Sequence, residues 1–374
     1  MRPYRFIVFL LVLSCSNEPT TNPLEIALNS NEEAIQRVMN NLEAHEVQIK
    51  LTTIKRSSSD VVFNDYEFQL DDNNYFYPAS TVKFPAAILT LEKLNEQDQF
   101  TLDTPFFMEG DTVSTTFRKD IVDIFAVSSN HTFNHLFEYL GKDYMNQSFA
   151  SKGIGPIQYH HRLATSDPAK LETIPLIFTI NDSTLVATES ITNMPIEPLA
   201  LNRLKKGNGF YRGETLVNEP MDYSEKNYLP ISTLHNILKR LIFPEAFIEQ
   251  ERFKLTNEQR EFLINTMAML PKDGGYLDDD HYDSYVKFFL FGDTKEPMPP
   301  HIKIHNKVGL AYGYLSDCAY IVDSKNNIEY MLTATIHVNE DGVYNDNVYE
   351  YDTVGIPFLA ALGREIHSYL LKNN

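Results

Sequence analysis

Ser80 and Lys83 stand three residues apart in Ser-Thr-Val-Lys order, at the head of the apolar stretch Phe76 to Leu94. On a helix that spacing puts both side chains on one face, so an amine can reach a hydroxyl and take its proton. A helix start also aims unpaired backbone N–H groups at any oxyanion formed there. The chemistry on offer is attack of Ser80 on a carbonyl, with Lys83 as the base. A second Ser-x-x-Lys, Ser284 to Lys287, follows an acidic loop and precedes Phe288-Phe289 with no helix-start signal, so it is expected to be a coincidental match.

Positioning such a pair needs a rigid frame, and the hydrophobic pattern supplies one. Val47 to Ile54 and Val61 to Leu70 alternate as two strands; Ile302 to Gly309, Ala319 to Val322 and Tyr330 to Val338 read as three more. A hairpin is predicted across Asp323 to Asn327. Helical periodicity marks Glu32 to Ala44, Asp120 to Tyr139, Glu258 to Leu270 and Val354 to Leu371. The order is helix, two strands, helical insertion, three strands, helix. It predicts an α+β fold, an antiparallel sheet of about five strands flanked by helices with an inserted, mostly helical subdomain. The α/β part is expected over 32–95 and 226–374, and the helical part over 96–225.

Two further triplets follow Ser80 in order. Ser128-Ser129-Asn130 lies in the helical insertion, and Lys307-Val308-Gly309 lies at the end of a predicted strand. With Ser80-x-x-Lys83 they resemble the Ser-x-x-Lys, Ser-Asp-Asn and Lys-Thr-Gly signatures of the β-lactamase and penicillin-binding protein superfamily, class A in particular. Asn134, four residues after Asn130, and Asp317-Cys318-Ala319, at the start of the next strand, extend the likeness to most of residues 31–374.

The resemblance implies an exported serine hydrolase that forms an acyl-enzyme at Ser80 and hydrolyses an amide or ester, a β-lactam being one candidate. Burial and the second cation, Lys307, would push the Lys83 amine towards its neutral form. Ser128 would relay a proton to the leaving nitrogen, and Asn130 would bind substrate and pin Lys83. Lys307 would attract a substrate carboxylate. Gly309 and Leu310 would line the substrate, with the N–H groups of Ser80 and Leu310 as the oxyanion hole.

Three positions depart from the pattern. Val308 lacks the hydroxyl of the family's threonine. Ser129 replaces the middle aspartate, a change expected to be structural. Aligning Arg162-Leu163 with the family's Arg-Leu puts Asp167 opposite its deacylating glutamate, with Glu172 as a rival and a protein lacking the base as the third reading. Without a base, a peptidase or transpeptidase acting on peptidoglycan peptides becomes the alternative; a catalytically silent binding lipoprotein is another.

Composition bounds the remaining choices. With 43% apolar and 12% aromatic residues, the chain can bury a substantial core. Its formal charge of −19, from 51 acidic against 32 basic residues, speaks against nucleic acid as a partner. Arg2 and Arg5, the apolar run Phe6 to Leu13 and then Ser14 read as an export signal over 1–14, too short to span a bilayer. Val12 to Cys15 resembles a bacterial lipobox, with Cys15 the acylated residue; a plain signal peptide is the alternative. Residues 15–31 would be a lipidated tether holding the domain, over 32–374, at the periplasmic face of a bacterial membrane. Cys318 would then be alone and no intrachain disulfide could form.

The expected partners are a small-molecule or peptide substrate and the membrane, with the chain a monomer. No cofactor is called for. His131 and His135, at i and i+4, with His160-His161 as possible added ligands, are read as helix-surface histidines rather than a metal site. Asp278 to Asp283 is read as a solvated acidic loop. Tyr312 and Tyr314 either line the cleft or pack beside it.

Overall fold

The computed structural model describes residues 22–57, 60–97 and 99–373. The predicted signal segment 1–14 and Cys15 lie outside the described residues. The chain enters as a short helix, α1 (Pro23–Leu28), capped by the Asn22 side chain on the N–H groups of Leu24 and Glu25. Pro23 favours this start, since its missing N–H would be unpaired there anyway. Leu24, Ala27 and Leu28 are buried in the core, so the expected tether is corrected: at least from Asn22 the chain is part of the folded body. The predicted first helix over 32–44 is broken into α2 (Glu33–Met39) and α3 (Leu42–His45).

Strands β1 (Gln48–Arg56) and β2 (Val61–Phe68) form a hairpin, after which a 3-10 turn, Ala79–Val82, runs into α4 (Lys83–Gln97). The insertion continues as β3 (Phe106–Met108), α5 (Phe117–Ala126), α6 (Asn130–Leu140) and α7 (Lys142–Ser151). Beyond residue 151 it is not helical. Short strands take over: β4 (Leu176–Asn181), β5 (Thr184–Ala187), β6 (Lys205–Lys206), β7 (Gly209–Arg212), β8 (Thr215–Val217) and β9 (Met221–Asp222). Pro, Asn and Gly interrupt this stretch too often for a helix to propagate. Next come α8 (Ile231–Ile242), α9 (Asn257–Met267), the strands β10 (Ile302–Ala311), β11 (Tyr314–Asp323) and β12 (Ile328–His337), then β13 (Val343–Tyr344) and α10 (Ile356–Asn373).

The five main strands form one antiparallel sheet in the order β10-β11-β12-β1-β2, as the sequence pattern predicts for fold class. Leu51 faces Leu332 where the N-terminal hairpin joins the C-terminal three strands. Alternation along β11 sends Ala319 and Ile321 to a core shared with α1 and α10, and Cys318 and Tyr320 to the opposite core, with α4 and α8. Both faces of β11 and β12 are covered, so nearly every residue of the two strands is buried, polar ones included. The β11–β12 hairpin turns at Asn327, with φ of +55°, while the Asp323 carboxylate accepts the N–H groups of Lys325 and Asn326. Cys318 is a free, buried thiol. Among the described residues no helix is long and apolar enough to cross a membrane.

Candidate active site

Ser80 sits on the 3-10 turn and Lys83 opens α4, so the predicted single helix is tightened at its start. Ala79 holds a left-handed φ of +46°, which costs about 1–2 kcal/mol for a residue with a Cβ. The turn is locked by Thr81, whose N–H and hydroxyl both donate to the Pro78 carbonyl, at 3.1 and 2.7 Å. From the other side Tyr159 donates its hydroxyl to the Val82 carbonyl at 2.6 Å. Lys83 is fully buried and Ser80 half-buried.

The edge strand β10 runs against this turn, and Gly309 makes the approach feasible. A Cβ at 309 would come 2.6 Å from the Pro78 carbonyl oxygen and 3.1 Å from the Ser80 nitrogen. Only glycine lets the strand lie this near the Ser80 backbone. Val308 points into the apolar core shared with α1 and α10 and is 4% exposed. Leu310 stands exposed beyond Gly309.

The three signatures meet around one amine. Lys83 Nζ donates to the Ser128 carbonyl at 2.5 Å and to Asn130 Oδ1 at 2.7 Å, with Ser128 Oγ 3.5 Å away. Lys307 Nζ lies 2.7 Å from Ser128 Oγ and 2.9 Å from the Val308 carbonyl. Ser128 can face both lysines because it holds a left-handed φ of +57° between α5 and α6. Ser129 caps α6 by accepting the Thr132 N–H, a local role that a serine in place of aspartate fills. Burial, then the neighbouring Lys307, holds the Lys83 amine well below the usual lysine range. Burial lowers Lys307 to about 7, opposed by the attraction of Asp317 and helped by Lys287. A neutral amine has two N–H donors and one lone pair. Ser128 and Asn130 take the donors of Lys83, which leaves the lone pair to act as a base.

The loop after α7 is fastened to α6 by side chains that sequence reading did not assign. Asn134 grips Leu163 at both ends of its backbone, donating to the carbonyl at 2.8 Å and accepting the N–H at 3.0 Å. Buried Arg162 makes a bidentate pair with Glu138, which also accepts the Ile174 N–H at 2.8 Å. Asp167 and Glu172 lie beyond this clamp with exposed side chains, and no hydrogen bond or ion pair joins either carboxylate to Lys83, Ser128 or Lys307. Asn134 was visible in the sequence only through the resemblance, and nothing there pointed to Glu138 as its helper.

Aromatic rings close one flank. Tyr77, just before the Ser80 turn, stacks on His161 at 6.4 Å and meets Tyr312 edge-on at 4.9 Å. Tyr312 is partly exposed, whereas Tyr314 is buried and donates to Glu46 at 3.1 Å. The second Ser-x-x-Lys is structural: Lys287 donates to Met267 O and Asn306 Oδ1 at 2.8 and 2.7 Å, and Asn306 donates on to Asp317 at 2.8 Å. His160 and His161 both give their N–H groups to Asn227 Oδ1, away from His131 and His135. In the acidic loop, Asp278 accepts from His281 and Asp283 pairs with Lys272. His135 is buried rather than on the helix surface, which corrects the expectation for that residue.

A model of the β-lactamase enzyme family matches residues 31–190. Among solved structures, PBP-A aligns with a TM-score of 0.51 at 14% identity, over 95% of this chain and 98% of its own. A point mutant of PBP-A, solved as an acyl-enzyme complex with penicillin G, gives 0.52 at 13% identity over 95% and 98%. A class A β-lactamase from Mycobacterium abscessus gives 0.49 at 13% identity over 87% and 93%. No curated protein matches the chain. The family model covers the N-terminal part of the chain, and the two PBP-A structures, at 13–14% identity, share its fold.

Proposed function

We propose that the protein transfers an acyl group from an amide, ester or β-lactam to Ser80. The observation that carries this reading is the placement of Lys83, whose two N–H donors are taken by Ser128 and Asn130. As the Ser80 Oγ–carbonyl bond forms, the hydroxyl proton passes to Lys83 Nζ. The Ser128 hydroxyl, which accepts from Lys307, gives its own proton to the leaving nitrogen as the carbon–nitrogen bond breaks. Lys83 then restores the Ser128 proton across 3.5 Å. The backbone N–H groups of Ser80 and Leu310 stabilise the oxyanion, each worth about 3–4 kcal/mol. Protonated Lys307 draws in a substrate carboxylate, and Tyr312 offers an aromatic wall beside it.

A second reading within this chemistry is favoured by the exposure of Asp167 and Glu172. With neither carboxylate engaged near the nucleophile, the acyl-enzyme is long-lived and the protein behaves as a penicillin-binding peptidase or transpeptidase of cell-wall peptides. A point mutant of PBP-A, whose fold this chain shares, has been captured as an acyl-enzyme with penicillin G, which is in keeping with this second reading. By its leader the protein is exported and held by lipid on Cys15 at the periplasmic face of a membrane, acting as a monomer.

Incubation with labelled penicillin and intact-mass spectrometry tests the assignment. An adduct is expected on the wild type, mapping to Ser80, and none on Ser80→Ala. An adduct that survives Ser80→Ala overturns it. Persistence of the adduct over hours supports the penicillin-binding reading, and rapid loss supports hydrolysis.

A further inference from the structure

The α6 helix carries a second cluster that acyl transfer does not use. His131 and His135 face each other one turn apart, their ring centroids 4.4 Å apart. Asp111, from the segment between β3 and α5, reaches the same point, and the ligand atoms of the three residues all lie within 4.8 Å of one another. Bonds of about 2.0 Å to a tetrahedral ion need ligand atoms about 3.3 Å apart. Rotation of exposed His131 and half-buried Asp111 can supply the difference.

His135 is the decisive member. It is 4% exposed, and its Nδ1 lies 2.8 Å from Oδ2 of fully buried Asp120. The other Asp120 oxygen accepts the Thr115 hydroxyl at 2.8 Å, which fixes the carboxylate. A carboxylate acceptor assigns the ring proton to Nδ1 and leaves the lone pair on Nε2. That Nε2 is buried and has no hydrogen-bond partner. A carboxylate behind a histidine whose other nitrogen is free is the arrangement that prepares an imidazole to bind a metal.

We propose that Asp111, His131 and His135 bind a divalent transition metal of the zinc type. Two imidazoles and one carboxylate suit zinc and leave a fourth position for water. The bound ion would tie the 109–116 segment, where Val113 stands 76% exposed, to the first turn of α6. Asn130, the partner of Lys83, is the residue just before His131, so the tie would stiffen one wall of the active site.

The test uses the full chain stripped with chelator, then titrated with zinc chloride by calorimetry, and with cobalt(II) to follow its visible absorption. One ion per chain is expected, with a rise in melting temperature. His131→Ala and Asp111→Asn, neither of which opens the core, should each weaken binding at least about tenfold while keeping the wild-type circular dichroism. Absence of saturable binding by the wild type overturns the proposal. So does binding as tight as the wild type's in both variants, which would put the ion on other histidines.

Discussion

Lys307 places its amine nitrogen 2.7 Å from the Ser128 hydroxyl, while Lys83 holds the carbonyl of the same serine from the other side. Ser128 thereby joins two lysines through two different oxygens. Ser128→Ala deletes only the hydroxyl and leaves the Lys83 contact in place. It should lower the acylation rate constant by about 10²–10⁴, the usual share of a general acid, with the melting temperature unchanged. Stopped-flow acylation and calorimetry check this; an equal loss of stability would make Ser128 a structural residue.

The two lysines set opposite limbs of a pH profile. In the proposed mechanism acylation needs neutral Lys83, so its rate should rise with pH through that lowered pKa. In the same mechanism substrate capture needs charged Lys307, a charge that is lost as pH climbs through about 7. The acylation efficiency is therefore expected to be bell-shaped, and Lys307→Arg, whose charge persists, should erase the falling limb. Stability follows a separate sign. Between about 7 and the usual 10.5, Lys307 is neutral in the fold and charged in the unfolded chain, so unfolding takes up a proton. Its contribution to the unfolding free energy should thus grow with pH across that window. Urea midpoints that rise towards pH 9 more steeply in the wild type than in Lys307→Met would bear this out.

Gly309→Ala tests the closeness of β10 to the Ser80 turn. The new methyl would lie 2.6 Å from the Pro78 oxygen, a distance that forces the Ser80 turn or the strand to move. A destabilisation of about 1–3 kcal/mol is expected, with acylation falling by more than the stability loss explains. Wild-type rates in this variant would show that the strand edge does not position Ser80.

Asp167→Asn and Glu172→Gln distinguish hydrolysis from trapping. Since both carboxylates are exposed and uncoupled from Lys83, neither change should alter the lifetime of a penicillin adduct measured by mass spectrometry. A lengthened lifetime in either variant would identify that residue as the deacylating base.

Much of the frame could be read from the sequence because alternation and signature order are local properties. β1, β2, β10 and β12 begin within two residues of their predicted starts, and the Ser284 match stands apart from Ser80 by its lack of a helix-start signal. β11 was read too short, from Ala319 rather than Tyr314, because its first half is polar yet buried: Ser316 and Asp317 bond to Thr335 and Asn306. α1 escapes the pattern because six residues opening on a Pro carry too little periodicity; its stability comes from packing on α10. The Asn134 grip on Leu163 and the meeting of Asp111 with His135 depend on loop paths no local pattern encodes.

The docking of α1 shortens any leash. If lipid sits on Cys15, only six residues separate it from Asn22, a reach of at most about 25 Å. α1 and α10 cover one face of the sheet, and α4, with Lys83, lies across the other. The protein would then be moored by the back of its sheet, with little standoff from the bilayer and its reactive serine on the side away from the mooring.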